Sequence, residues 1–192
     1  MFLIVQMRTD YRQYILRVAL ACSCLFFGYV IADDNDFWDW TSVGSAIWDF
    51  KNNELIGREG DGFLVSKRTY REFELSVDFW ISKDTNSGIF ILCQDRASIN
   101  PESCYELNIW DNHPNQEART GSIVGRGMPP LAKVTTEGRW NTYQVIIRDS
   151  TITVKVNDIL TATLTDKKLQ AGFVALQKWG GGQVRFRNLK IY

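Results

Sequence analysis

The stretch CYELNIWDNHP, residues 104–114, gathers four polar side chains of catalytic type within eight positions. They are Glu106, Asn108, Asp111 and His113, and His113 is the only histidine in the chain. A histidine has a pKa suited to a general base near neutral pH, and Asp111 could orient it from two residues away. With Glu106, the same pair could instead hold a hard or borderline divalent cation. A lone histidine that makes only a structural hydrogen bond is the remaining interpretation.

The polarity of residues 105–110 alternates as in a β-strand, which sorts the side chains onto two faces. The tyrosine, leucine and isoleucine of YELNIW are expected to face the core. Glu106, Asn108 and Trp110 then share the open face. An aromatic ring beside a carboxylate and an amide is typical of a sugar site, although an ordinary solvated strand face remains the alternative.

Further segments add candidate substrate contacts to the same site. Among the seven tryptophans, Trp48 and Trp80 lie in alternating runs and are expected in the core. Trp110 and Trp179 lie beside polar residues and glycines and are expected to stack on a sugar ring. The predicted substrate-binding side chains are Asn86, Asn108, Trp110, Arg119, Gln177, Lys178 and Trp179.

Almost every segment after residue 45 has strand periodicity, and turn signals separate the segments. Two consecutive hairpins within residues 143–166 form a meander, and one more strand follows it. Short antiparallel strands at this spacing predict an all-β fold, a two-sheet antiparallel jelly-roll sandwich. The alternating segments are 71–82, 87–94, 105–110, 141–148, 151–157, 172–177 and 183–192.

The first thirty-two residues differ from the rest of the chain. Three arginines precede the uncharged apolar run 18–32, which ends in small residues, as in a secretory signal peptide. We expect cleavage after Ala32, one domain over 33–192, and an exported protein, periplasmic or secreted, with no stable membrane span. A retained anchor and a lipoprotein modified at Cys22 are the alternatives.

The charge balance excludes one class of partner. Removing residues 1–32 takes away three arginines and one aspartate, which leaves 19 basic and 21 acidic side chains. A chain that is slightly acidic and has no basic cluster is not expected to bind nucleic acid.

Cys93 and Cys104 are the two cysteines that remain after cleavage, and they flank a single loop. An exported protein meets an oxidising compartment, so we expect them to form a disulfide. Two buried, reduced thiols on neighbouring strands are the alternative.

Six short motifs, in order from about Trp48 to Ile191, resemble the 3-keto-disaccharide hydrolase domain, a family related in fold to the concanavalin A-like lectins and glucanases. The chain departs from the family pattern at three places in the predicted site, and at a turn where Asn157–Asp158 replaces Asn–Gly. Asn108 replaces a glutamine, Leu92 lies where an arginine often follows GIF, and Lys178–Trp179 replaces Asp–His. The motifs are NSGIF (86–90), YELNIWDNHP (105–114), TGSI (120–123), GRWNTY (138–143), ALQ (175–177) and VRFRNLKI (184–191).

The resemblance implies a sugar-binding face on a jelly roll, and chemistry on glycosides already oxidised to a ketone at C3. A base removes the C2 proton, the glycosidic group leaves, and water adds to complete a net hydrolysis. Under this hypothesis His113 is the base, Asp111 orients it, and Glu106 assists as an acid or metal ligand. A divalent cation or hydrogen-bond donors would stabilise the enolate. The competing hypothesis is a non-catalytic carbohydrate-binding module of the same fold.

Overall fold

The computed structural model describes residues 40–126 and 129–192. In this part of the chain the regular elements are twelve β-strands and one 3₁₀ turn, Gln116–Ala118. The strands are β1 (Trp40–Gly44), β2 (Ile47–Lys51), β3 (Glu54–Glu59), β4 (Gly62–Ser66), β5 (Phe73–Ile81), β6 (Asn86–Cys93), β7 (Tyr105–Ile109), β8 (Trp140–Arg148), β9 (Thr151–Val156), β10 (Ile159–Thr165), β11 (Phe173–Trp179) and β12 (Val184–Ile191). The predicted signal peptide, residues 1–32, lies outside the described residues. No helix in the described part has the length and apolar character needed to cross a bilayer.

The strands form two antiparallel sheets, which confirms the all-β, two-sheet jelly-roll prediction. The five-stranded sheet has the order β1-β4-β11-β6-β7, and the seven-stranded sheet has the order β10-β9-β8-β5-β12-β3-β2. Strands β8, β9 and β10 are the predicted meander, and β12 returns to pair with β5 and β3.

The main core lies between the sheets and follows from strict alternation along the strands. In β5, the sequence FELSVDFWI buries every second residue, starting with Phe73 and ending with Ile81. Trp48 packs against this core, as expected. Trp80 does not, because its neighbours in β5 occupy the core face. Its ring lies on the outer surface, with the Arg185 guanidinium 5.6 Å from the ring centroid.

A smaller apolar cluster covers part of the outer surface of the five-stranded sheet. Its members include Phe63, Phe90 and Phe173. Cys93 and Cys104 belong to the same cluster and form a disulfide, with their Cα atoms 4.2 Å apart. This bond links the end of β6 to the residue that precedes β7.

Residues 120–124 continue the five-stranded sheet beyond β7. The Asn108 backbone N–H donates to the Ser122 carbonyl at 3.1 Å, and Val124 N–H donates to the Glu106 carbonyl at 2.9 Å. Between them, Leu107 forms a bridge with Ile123. As a result, β7 has neighbours on both sides, and its outward side chains lie within the sheet surface.

Candidate active site on the open face

We call the outer surface of the five-stranded sheet, on β4, β11, β6 and β7, the open face. Strand register orders its side chains into rows. Gln177 of β11 pairs with Phe63 of β4 and with Gly88 of β6, and Gly88 pairs with Asn108 of β7. One row further along, Phe90 pairs with Glu106. Gly88 has no side chain, so Gln177 Oε1 and the Phe90 ring both come within 3.4 Å of the position that its Cβ atom would take.

Glu106 has the electrostatic properties of a general base or acid. Its side chain is half-buried on the open face. Within residues 40–126 and 129–192, no donor forms a hydrogen bond or ion pair with its carboxylate. Burial raises the pKa of Glu106 from 4.5 to about 7, because the charged form loses hydration without gaining a partner. A carboxyl group with this pKa is poised to accept or donate a proton near neutral pH.

Gln177 supplies an amide with an unsatisfied oxygen, across β6 from β7 and one row from Glu106. Its side chain is 7% exposed, and its Oε1 atom is buried without a hydrogen-bond partner among the described residues. A Cβ atom placed on Gly88 would lie 3.4 Å from this oxygen. The end of the Gln177 side chain therefore lies over Gly88, next to the Phe90 ring.

Asn108 is less available to a ligand than the sequence suggests. Its amide nitrogen donates to the carbonyl of Ala118, and its Oδ1 accepts the backbone N–H of Ile109 at 2.9 Å. Asn108 therefore holds the loop that contains the 3₁₀ turn against β7. Asn86, by contrast, is half-exposed at the start of β6, and no described residue bonds to its side chain.

Asp111 is a structural anchor. Its carboxylate accepts hydrogen bonds from Thr120 Oγ1 at 2.6 Å and Thr136 Oγ1 at 2.8 Å. It also accepts the backbone N–H groups of Thr136 at 2.5 Å and Glu137 at 3.2 Å. These four bonds occupy the buried carboxylate and tie the end of the β7 segment to the chain that enters β8.

The predicted orientation of His113 by Asp111 is wrong. His113 Nδ1 instead accepts the backbone N–H of Asn115 at 3.0 Å. The edge of the ring packs against Trp110, with the two ring centroids 4.6 Å apart. The histidine is thus oriented by its own loop and by an indole, while its presumed partner bonds elsewhere.

The predicted metal site of Glu106, Asp111 and His113 is likewise not formed. In the described part of the chain, no group of three His, Cys, Asp or Glu side chains is arranged to hold a metal ion. The physical reason is that the Asp111 carboxylate is saturated by four donors, while His113 Nδ1 bonds to its own loop. No catalytic step is therefore assigned to a cation at these residues.

Lys178 and Arg119 support the fold rather than the open face. Lys178 alternates with Gln177 and Trp179, so it points inward. Its Nζ donates to the carbonyls of Gly180 at 2.5 Å and Gly60 at 3.4 Å. Burial lowers the pKa of Lys178, and the nearby Asp61 opposes this effect. The Arg119 guanidinium is buried and donates to the Val134 carbonyl at 2.7 Å.

Aromatic rings flank the polar centre of the open face. Trp179 is 43% exposed, and its ring lies 6.3 Å from that of Phe63. Phe63 also packs edge-on against Phe90 at 5.1 Å. The sequence interpretation missed both phenylalanines. The alternation of GFLVS and NSGIF contains the signal, because Phe63 and Phe90 fall on the same strand face as Gly88.

Comparison with known proteins places these features in a family. The model of the 3-keto-alpha-glucoside-1,2-lyase-like domain matches residues 29–192. A protein of Bacteroides thetaiotaomicron named 3-keto-disaccharide hydrolase is 28% identical over an alignment of 149 residues, and the match covers 64% of this chain and 51% of that protein. The chain thus spans about half the length of this curated relative.

Solved structures share the fold at lower identity. A Parabacteroides distasonis protein provisionally assigned as a glycosyl hydrolase is 24% identical with a TM-score of 0.68. The match covers 76% of this chain and 89% of that one. The carbohydrate-binding module CBM66 of Bacillus subtilis is 16% identical with a TM-score of 0.60, over 80% of this chain and 94% of the module. Both an assigned hydrolase and a binding module therefore use this architecture.

Proposed function

Because the chain belongs to the 3-keto-alpha-glucoside-1,2-lyase-like family, we propose that it cleaves 3-keto-glycosides, including 3-keto-disaccharides, on its open face. The substrate is a glycoside already oxidised to a ketone at C3, and this ketone acidifies the C2 proton. The reaction is an elimination followed by addition of water, with net hydrolysis of the glycosidic bond.

Glu106 is the observation that carries this proposal. The reaction needs a base that is partly ionised at neutral pH and free to approach the substrate. Burial raises the pKa of Glu106 to about 7, and no described residue bonds to its carboxylate. Asp111 lacks this freedom because four donors saturate it. We therefore assign the role of base to Glu106 in place of His113.

In this mechanism Glu106 removes a proton from the substrate and returns it to the leaving group. Its carboxylate takes the C2 proton, and the electron pair of the C2–H bond forms the enolate. The enolate then expels the C1 substituent, and the Glu106 carboxyl group returns the proton to the departing oxygen. Water adds across the resulting C1–C2 double bond, with hydroxyl at C1 and hydrogen at C2.

Gln177 is the group that we propose to position the sugar or the enolate. Its buried Oε1 lacks a hydrogen-bond donor among the described residues, and burying an unsatisfied polar atom costs about 1–3 kcal/mol. A sugar hydroxyl over Gly88 would supply that donor. The amide has no charge, so it can bind the neutral ketone and the enolate in turn.

A carbohydrate-binding module without catalysis is the second candidate. Two observations favour it: His113 is held in a loop hydrogen bond with Asn115, and Trp179 offers an exposed aromatic ring for stacking. In that case Glu106 and Gln177 would bind hydroxyls only. For either candidate we propose a site of action outside the cytoplasm, which the Cys93–Cys104 disulfide supports.

The test uses methyl 3-keto-glucoside and its unoxidised parent, with and without a chelator, in deuterated water. We expect turnover of the keto substrate only, with solvent deuterium at C2 of the product beyond that of an enzyme-free control. Glu106→Gln should lower kcat/KM by about 10²-fold or more, the range for a lost general base. His113→Ala is the matched comparison and should stay within about tenfold of the wild type.

The outcomes separate the alternatives. Turnover that survives Glu106→Gln but not His113→Ala would return the role of base to the histidine. No turnover, together with a rise in Tm on adding glycans, would identify a binding module. Loss of turnover with the chelator would require a cation site that the described residues do not form.

A further inference from the structure

We propose that Trp179 and Asn86 form a subsite for the leaving group, and that this group is a sugar or another ring with an apolar face. This inference rests on the proposed function, because it takes Glu106 as the base at C2. It adds the location and the chemical character of the second half of the substrate.

Distance excludes Trp179 from the ring that Glu106 deprotonates. Strand β6 lies between β7 and β11, so the two residues are about 10 Å apart across the sheet. Along the strands, Trp179 pairs with Asn86 and Glu106 pairs with Phe90. Four residues separate these two rows, which is about 13 Å. A single pyranose ring is too small to touch both side chains, whereas a disaccharide can reach between them.

Trp179 is presented as a fixed and accessible platform. The Trp179 side chain is 43% exposed, and its ring packs against Phe63 with the two ring centroids 6.3 Å apart. The chain after it is anchored from both sides: Gly180 N–H donates to Asp61 Oδ1 at 2.7 Å, and Lys178 Nζ donates to the Gly180 carbonyl at 2.5 Å. The buried lysine thus acts as a positioning residue for the ring.

The surroundings leave room for a ligand beside this ring. A Cβ atom built on Gly180 or Gly181 would meet no described atom within 4 Å. Asn86, directly opposite Trp179 on β6, is half-exposed, and its side-chain amide has no partner among the described residues. An aromatic ring for an apolar sugar face beside a free amide for its hydroxyls is a carbohydrate subsite by its chemistry.

The leaving group is the part of the substrate that fits this position. The keto ring must place C2 at Glu106, and in a 3-keto-disaccharide cleaved at C1 the second ring is the C1 substituent. This second ring is therefore the part of the substrate that can reach toward Trp179. Contacts to a remote part of the substrate lower KM when they are equal in the ground and transition states. Removing the platform should therefore raise KM for substrates with a ring as leaving group and leave small leaving groups unaffected.

The experiment compares Trp179→Ala and Trp179→Phe with the wild type, on a 3-keto-disaccharide and on methyl 3-keto-glucoside. We expect Trp179→Ala to lower kcat/KM for the disaccharide about tenfold, mainly through KM, and by less than about twofold for the methyl glycoside. Trp179→Phe should retain most of the activity on both. Tyr192→Ala, which removes an exposed aromatic ring paired with the other sheet, serves as the control and should change neither.

Two results would overturn the assignment. An equal loss on both substrates would place Trp179 at the keto ring or in the fold, and no loss on either would remove it from the site. If the wild type turns over neither substrate, the proposed function itself fails, and the leaving-group assignment falls with it. Turnover of the methyl glycoside by the wild type keeps these two failures distinct.

Discussion

Replacing Glu106 by Gln separates the catalytic effect of this side chain from its effect on stability. The carboxyl group has an ordinary pKa of 4.5, and burial raises it to about 7 in the folded protein. Below pH 4.5 the group is neutral in the folded and unfolded chains and has no pH-dependent effect. As the pH rises toward 7, the unfolded chain ionises first, so the free energy of unfolding falls. Above pH 7 the group is ionised in both the folded and the unfolded chain, so the loss in the free energy of unfolding stays constant.

The size of this loss follows from the two pKa values. At 1.36 kcal/mol per pH unit, the difference between 4.5 and about 7 corresponds to about 3 kcal/mol. Because the side chain is only half-buried, solvent reduces this cost, and we expect about 2 kcal/mol. The amide of Gln is neutral at every pH. Glu106→Gln should therefore be more stable than the wild type by about 2 kcal/mol at pH 8, and by much less at pH 4.5.

The assay is urea or thermal unfolding of both proteins at intervals from pH 4.5 to 8. For a domain of this size, about 2 kcal/mol corresponds to a Tm difference of about 4–8 °C. The exposed Glu102→Gln is the matched control and should follow the wild type throughout. In Glu106→Gln, kcat/KM for a 3-keto-glucoside should also fall by about 10²-fold or more.

A stability difference between Glu106→Gln and the wild type that does not grow with pH would refute the reasoning. It would mean that the carboxylate is hydrated or paired in solution, and the main support for Glu106 as the base would disappear. A variant that is more stable at pH 8 yet fully active would leave the burial argument intact and remove only the catalytic assignment.

Three further predictions concern the surroundings of Glu106. Asp111→Asn should lower the free energy of unfolding by about 2–3 kcal/mol in urea titrations, because the amide cannot accept all four hydrogen bonds. A change below about 0.5 kcal/mol would contradict the anchoring role of Asp111. Cys93→Ser with Cys104→Ser should lower the free energy of unfolding by about 2–3 kcal/mol, since the disulfide joins two residues eleven positions apart, and the reduced wild type should match the variant. Gly88→Ala places a methyl group in ordinary contact with Gln177 Oε1, so it should change Tm by less than about 4 °C. It should lower kcat/KM for a 3-keto-glucoside at least about tenfold, because the methyl group takes the space proposed for the sugar. Unchanged activity would show that no sugar lies over Gly88.

The fold was predictable because alternation is a local property that burial enforces. Each β-strand of the meander has a period of two, and a slip by one residue would move its apolar side chains to solvent. Trp80 shows where this reasoning needs care. It lies inside an alternating run, but it occupies the outward phase, and Phe79 and Ile81 take the core positions.

For the candidate site, the sequence predicts which face of the sheet each side chain occupies, but not which side chains contact each other. Strand alternation placed Glu106 and Gln177 outward, and register then brought their strands to either side of Gly88. The partners of Asp111 come from residues 120, 136 and 137, and sequence spacing carries no information about contacts of that range. The proximity of Asp111 to His113 in sequence therefore suggested a pair that the fold does not form.

Hydrogen bonding distinguishes Glu106 and Gln177 from most of the structural members of this polar set; Arg119 is the exception, because its buried Nε also has no partner among the described residues. Asp111, Asn108 and Lys178 are buried with their polar atoms bonded to the backbone or to neighbouring side chains. Glu106 and Gln177 lie in adjacent rows of the same sheet face and lack such partners among the described residues. Folded proteins leave few buried polar groups unsatisfied, and those that remain tend to gather where a ligand completes the bonding. We therefore propose that the open face is a ligand site, and that the ligand is a sugar whose hydroxyls supply the missing hydrogen-bond donors.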